Sequence, residues 1–161
     1  MPTDRKVVPA DVLEQRFAIA LYRLHQFTNL LDLNLGLSIR FIENPGHVED
    51  SHSWLSRSNL ASKIRKFRCL VCDRKGSGDI DAWYFQAQKA RCDRNILTHA
   101  YWEILPMDVE TPVHMRVHPW MREDLETDVS EKMSIEQFET LVNSVQVVFE
   151  DFMNLRQKIG V

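Results

Sequence analysis

Four stretches of this chain repeat apolar residues at helical spacing, and glycine–proline breaks separate them. That pattern restricts the fold more than any other feature of the sequence. The breaks are Asn44-Pro45-Gly46, Gly76-Ser77-Gly78 and the stretch from Pro106 to Pro119. The first helical stretch runs from Asp11 to Glu43, with Phe17, Leu21, Leu24, Leu31 and Leu35 at helical spacing and Phe27 one step off. Near its end Leu33, Leu35, Leu37, Ile39 and Phe41 alternate with polar residues and Gly36, a period a strand would share. Wound as a helix, this end is apolar on several faces and needs two partners, for instance its own core and a second subunit.

The second stretch covers Asn59 to Cys72, with Ser58 as the expected N-cap and Leu60, Ile64, Phe67 and Val71 as the buried stripe. The third extends from Ile80 to Leu105 and stops at Pro106. The fourth extends from Ser134 to Ile159. Ser134-Ile135-Glu136-Gln137 fits a capping box, and Phe138, Leu141, Val145, Val148, Phe152 and Leu155 mark one face. Between the last two, Val109, Thr111, Val113, Met115 and Val117 alternate and read as an extended strap or short strand, not a helix. The expected fold is therefore all-α: an antiparallel four-helix bundle with an extended strap between helices three and four. With 161 residues, 44% of them apolar, the chain is long enough for a single domain over 1–161 with one core.

Several classes are excluded. No window approaches the roughly 18 uninterrupted apolar residues of a membrane span, so no membrane partner is expected. The N-terminal MPTDRKVVPADVLEQRF lacks the charged-then-apolar layout of a secretion signal, which predicts a cytoplasmic protein. Three cysteines are too few and too odd a number for a disulfide framework.

The net charge of −3 hides an uneven distribution. Arg57 to Arg94 holds ten Lys or Arg against four acids, and Met121 to Val161 holds four against nine. A basic middle suggests an anionic partner for helices two and three; the plainer reading is a solvated face paired with the acidic end.

On a helical wheel of the third stretch, Ala90, Cys92, Ile96, Leu97, Ala100 and Ile104 fall on one side. Arg91, Arg94, Asn95, Thr98 and His99 fall on the other, with Trp102 among them. Asp93 alone turns toward the apolar side and needs a partner there, for instance an arginine of the second helix. Asn95 and His99, four apart, share a face. Imidazole exchanges protons near neutral pH, and guanidinium matches phosphate oxygens with a fixed fork. Together they suit RNA phosphodiester cleavage by the substrate's own 2′-hydroxyl, needing no metal and no cofactor. His99 would move the proton, Arg94 would stabilise charge on the non-bridging oxygens and Asn95 would orient either. Acid and base together require two imidazoles, which a two-fold homodimer would supply. The ordinary alternative is an exposed polar helix face.

The stretch Arg94-Asn95-Ile96-Leu97-Thr98-His99-Ala100-Tyr101-Trp102 resembles the signature of the HEPN superfamily: Arg, a polar residue, three more, then His, near the end of the third helix of a four-helix bundle. The order of a long first helix, a short basic second, the motif helix, a strap and a capped last helix is similar too. The resemblance implies a homodimer whose composite site lies between paired third helices. It also implies metal-independent endoribonuclease activity of the kind found in toxin–antitoxin pairs and antiviral defence, with an antitoxin protein as a further partner. Arg94 and His99 would then be catalytic and Asn95 their helper. Some relatives are inactive scaffolds or RNA binders, so a helical dimerisation or protein-interaction module is the alternative. Thr98 departs from the small apolar residue of many relatives, and Tyr101 lies near their usual glycine.

Arg91, Lys63, Arg65, Lys66, Arg68 and Trp102 are the candidate RNA contacts. Cys69 and Cys72 form C-x-x-C without a second ligand pair and read as packing rather than a zinc or redox site. His114 and His118 flank Arg116 in the strap with Trp120 beyond. They read as plain strap surface or, secondarily, as an RNA contact. His47 and His52, beside Glu49 and Asp50, read as a solvated loop.

Overall fold

The computed structural model describes residues 9–46, 55, 57–75, 78–105, 107–108, 110–117 and 129–161. His47, Glu49, Asp50, His52, Gly76, Ser77, Pro106, Val109, His118, Pro119 and Trp120 lie outside the described residues. The element order is α1 (Ala10–Glu43), α2 (Leu60–Lys75), α3 (Gly78–His99), β1 (Tyr101–Ile104), β2 (Val113–Val117), β3 (Val129–Met133) and α4 (Ile135–Ile159). The four expected helices are present, but the fold is not all-α. The strap is the middle strand of a three-stranded antiparallel sheet of order β1-β2-β3. Tyr101 to Ile104, expected as the last turn of the third helix, is its first strand.

The alternating end of α1 is helical. Leu31, Leu35, Ile39 and Ile42 form a buried stripe at spacings of three and four, and helical burial of those four overrides the period-two pattern. Leu33, Leu37 and Phe41 are left exposed at 58%, 46% and 54%. Helix α2 is capped by Asn59, whose Oδ1 accepts the Ser62 amide at 2.9 Å, and not by Ser58 as expected. The capping box of α4 forms as expected. The Ser134 amide donates to Gln137 Oε1 at 2.8 Å, and the Gln137 amide donates to Ser134 Oγ at 3.2 Å.

Contacts divide the chain into two units. One comprises Leu24–Arg94 with Ser144–Val161. Its core is built on Phe67, Trp83 and Phe152, with ring centroids 5.2 to 5.7 Å apart in edge and tilted geometries. The Trp83 indole N–H, buried with its ring, donates to the Val148 carbonyl at 3.1 Å. Ion pairs fasten the helices around this core. Lys63 meets Asp32 at 2.6 Å, Lys66 meets Glu43 at 2.6 Å, and Arg68 meets Asp81 at 2.6 Å while lying 4.7 Å over the Tyr84 ring.

The other unit comprises the chain up to Arg23 with Asn95–Asn143. Here the sheet buries Val113, Met115, Val117 and Met133 on one face. Phe17, Trp102 and Phe138 form an aromatic cluster with centroids 4.7 to 5.3 Å apart. Arg16 of α1 forks onto Glu139 at 2.9 and 2.7 Å and reaches Glu136 at 2.9 Å, tying α1 to the first turn of α4.

Candidate functional site

Helix α3 begins with Asp79 and Asp81 in its first turn, where the helix dipole favours acids. Its buried line is Ile80, Trp83, Ala87, Ala90 and Leu97. This differs from the expected apolar side, because Cys92 is exposed. Arg94 comes four residues after Ala90 and three before Leu97, so it continues the phase of the buried line and is half-buried. His99 lies five residues on, about 140° further round the helix, and is exposed. Asn95 and Thr98 are half-buried, and the Thr98 hydroxyl oxygen has no hydrogen-bond partner among the described residues. Arg94 closes one unit, and Asn95 to His99 open the segment belonging to the other. One continuous helix carries all of them.

His99 is the last helical residue. The Ala100 amide still donates to the Ile96 carbonyl at 2.9 Å. The next orphan carbonyl, that of Leu97, accepts the Trp102 indole N–H at 2.9 Å. Trp102 thus caps α3 from the following strand, and its ring joins the cluster with Phe17 and Phe138. Tyr101, Trp102 and Ile104 favour an extended backbone, and pairing of Tyr101 with Arg116 and of Ile104 with Val113 draws the chain out of the helix.

The other candidates distribute as follows. Lys63 is buried on Asp32, while Lys66 and Arg68 hold Glu43 and Asp81, so a phosphate would compete with these carboxylates for them. Arg65 is exposed. Arg91 is half-buried and donates to Gln88 Oε1 at 3.1 Å and to Cys92 Sγ at 3.3 Å. Asp93 finds its partner in Lys89 of its own helix at 2.9 Å rather than in an arginine of α2, because a one-turn spacing brings the two together without crossing to another element. Cys69 is exposed and Cys72 half-buried. Among the described residues no group of three or more His, Cys, Asp or Glu forms a metal cage, and no helix is long and apolar enough to cross a membrane.

One cluster was not foreseen. Asp108 accepts the Thr111 amide and hydroxyl, both at 3.2 Å. It also faces His114 Nε2 at 3.3 Å and Lys132 Nζ at 3.7 Å. The Thr111 amide, aided by His114, the Thr111 hydroxyl and Lys132, holds the Asp108 carboxyl below the usual carboxylate range against a partial desolvation. The sequence signal was the Asp108-x-x-Thr111 turn; Lys132 is brought in by the register of β3. The chain matches no protein-family model, no curated protein and no solved structure.

Proposed function

We propose that this protein is a metal-independent endoribonuclease of HEPN type, acting as a homodimer in which two copies of the α3 end share one cleft. The observation that carries the reading is His99: an exposed imidazole at the end of a continuous helix, with Arg94 and Asn95 in the preceding turns. In the reaction the 2′-hydroxyl of the RNA loses its proton to one His99 and bonds to the adjacent phosphorus. The bond to the 5′-oxygen breaks, and that oxygen takes a proton from the second His99. A 2′,3′-cyclic phosphate and a 5′-hydroxyl result. Arg94 neutralises the charge that builds on the non-bridging oxygens, and Asn95 orients the imidazole or the phosphate. Arg65 and Arg91 hold the RNA backbone. A neutralising antitoxin protein belongs to this reading, as does a cytoplasmic setting.

The test is cleavage of RNA in EDTA by the wild type and by His99→Ala. Loss of cleavage in the variant is expected; cleavage that survives unchanged refutes the assignment. A second reading, a non-enzymatic dimerisation or interaction module, is favoured by the exposed Leu33, Leu37 and Phe41 on successive turns of α1. Light scattering together with RNA-binding and cleavage assays separates the two: a stable dimer that leaves RNA intact favours the module, and a stable monomer without RNA affinity counts against the nuclease.

A further inference from the structure

The three strands bury one face and leave the other to solvent. Side chains directly opposite one another in an antiparallel sheet share a face. Pairing of Tyr101 with Arg116 and of Arg116 with Ser130 therefore sets these three in one row across the sheet. Pairing of Glu103 with His114 and of His114 with Lys132 sets a second row about 7 Å further along the strands. Both rows lie on the face opposite Val113, Met115 and Val117. Tyr101 is 61% exposed, and Glu103, Arg116, Ser130 and Lys132 are exposed as well. His114 is half-buried, held by Asp108 at 3.3 Å.

This composition is unlike a spare hydrophobic face. It offers one open aromatic ring, two long cations and a hydroxyl, with two carboxylates beside them. Asp108 is engaged by Thr111 and His114 and also meets Lys132 at 3.7 Å, so a phosphate competes with it for that ammonium, and Glu103 stands on β1, one strand away from Lys132 on β3. We infer that the solvent face of the three-stranded sheet is a track for single-stranded RNA, with Tyr101 as the stacking platform and Arg116 and Lys132 as the phosphate contacts. A flat ring accepts any unpaired base, and a guanidinium beside it takes the attached phosphate with two parallel hydrogen bonds. Lys132, one row on and on the neighbouring strand, meets the next phosphate as a point charge. Glu103, on the same strand as Tyr101, repels phosphate and accepts from a base amino group, which favours cytidine over uridine. Duplex RNA offers no free base face to Tyr101 and is disfavoured.

The choice of RNA rests on the ribonuclease reading. Tyr101 follows His99 by two residues, so their α-carbons lie at most about 7 Å apart along the chain. The stacking platform and the candidate imidazole thus start from neighbouring points of the chain.

The experiment is fluorescence anisotropy with a short 2′-O-methyl oligocytidylate, which lacks the attacking hydroxyl and so reports binding alone. Tyr101→Ala is expected to weaken binding about tenfold, within the range one stacked base supplies. Tyr101→Phe, which retains the ring, is expected to keep wild-type affinity. Arg116→Gln with Lys132→Gln is expected to reduce the slope of log affinity against log salt by about 1.4, roughly 0.7 for each single-strand phosphate contact. Wild-type protein that fails to bind the probe, or binding indifferent to all three changes, overturns the track. Cleavage of unmodified RNA by the same proteins and by His99→Ala separates the two readings. Binding through the sheet without cleavage keeps the track and overturns the nuclease. His99-dependent cleavage with binding indifferent to Tyr101, Arg116 and Lys132 keeps the nuclease and overturns the track.

Discussion

Lys63 separates a structural cation from a nucleic-acid contact. Its side chain is buried, at 9% exposure, and its ammonium lies 2.6 Å from the carboxylate of Asp32, a side chain 38% exposed. At that separation and an effective dielectric near 20, the direct attraction is about 6 kcal/mol before desolvation is subtracted. The two ends of the pair are unequal. Asp32→Ala strands an ammonium that water barely reaches. A fully buried pair broken this way costs about 3–5 kcal/mol, and the partly open carboxylate side reduces that to about 2–3 kcal/mol. Lys63→Met removes the buried charge, fills the same space and leaves Asp32 free to hydrate, at a cost of about 0–1 kcal/mol. The double variant should resemble Lys63→Met alone, so the two single effects are strongly non-additive. Urea denaturation followed by circular dichroism measures all four proteins. Equal losses from the two single changes, or additive losses in the double, would show that Lys63 is not a buried partner of Asp32. Oligonucleotide affinity of Lys63→Met should equal that of the wild type; a drop would return Lys63 to the RNA contacts.

Further outcomes follow from the same packing. His99→Ala, at an exposed helix end, should change stability by no more than about 0.5 kcal/mol in a thermal melt, so its effect on cleavage reads as chemistry. Phe152→Ala removes a fully buried ring that touches both Phe67 and Trp83 and should cost about 3–5 kcal/mol. Phe85→Ala, on a ring 68% exposed, should cost about 0.5 kcal/mol or less in the same urea titration, and similar losses from the two would refute this core. Ser134→Ala breaks the capping box of α4 and should cost about 1 kcal/mol by calorimetry. Asp108, chiefly through the Thr111 amide, and Glu136, chiefly through its own amide in the first turn of α4, both have lowered pKa values in the folded chain. Each contributes stability that is complete above the ordinary carboxylate range near pH 4 and is lost as pH falls through the lowered value. Melting temperature should therefore drop on acidification below about pH 4. Asp108→Asn should flatten that limb, and an unchanged slope would contradict the cluster.

The helices were readable from residue order because their signals are local. Burial at three- and four-residue spacing, Ser134 with Gln137, and Pro45 and Gly46 after Glu43 all act within a turn or two of chain. Even the alternating end of α1 follows this rule once Leu31, Leu35 and Ile39 are taken as one stripe. The identity of the motif residues was equally plain, since Arg94, Asn95 and His99 need only a shared helix to be noticed together.

Tertiary contacts decided the rest, and the reason is distance along the chain. Tyr101 to Ile104 keeps helical phase with Ile96 and also fits a strand. Pairing with Val113 to Arg116 selects the strand, and that partner is not encoded within those four residues; the Trp102 indole, reaching back to Leu97, then caps the helix locally. The basic middle invited an external anion, but Lys63, Lys66 and Arg68 meet Asp32, Glu43 and Asp81 across helices, and only folding brings them within 2.6 Å. Arg94 and His99 share a helix in any reading. That the first lies in phase with the buried line and the second faces solvent depends on which side of α3 the neighbouring elements cover.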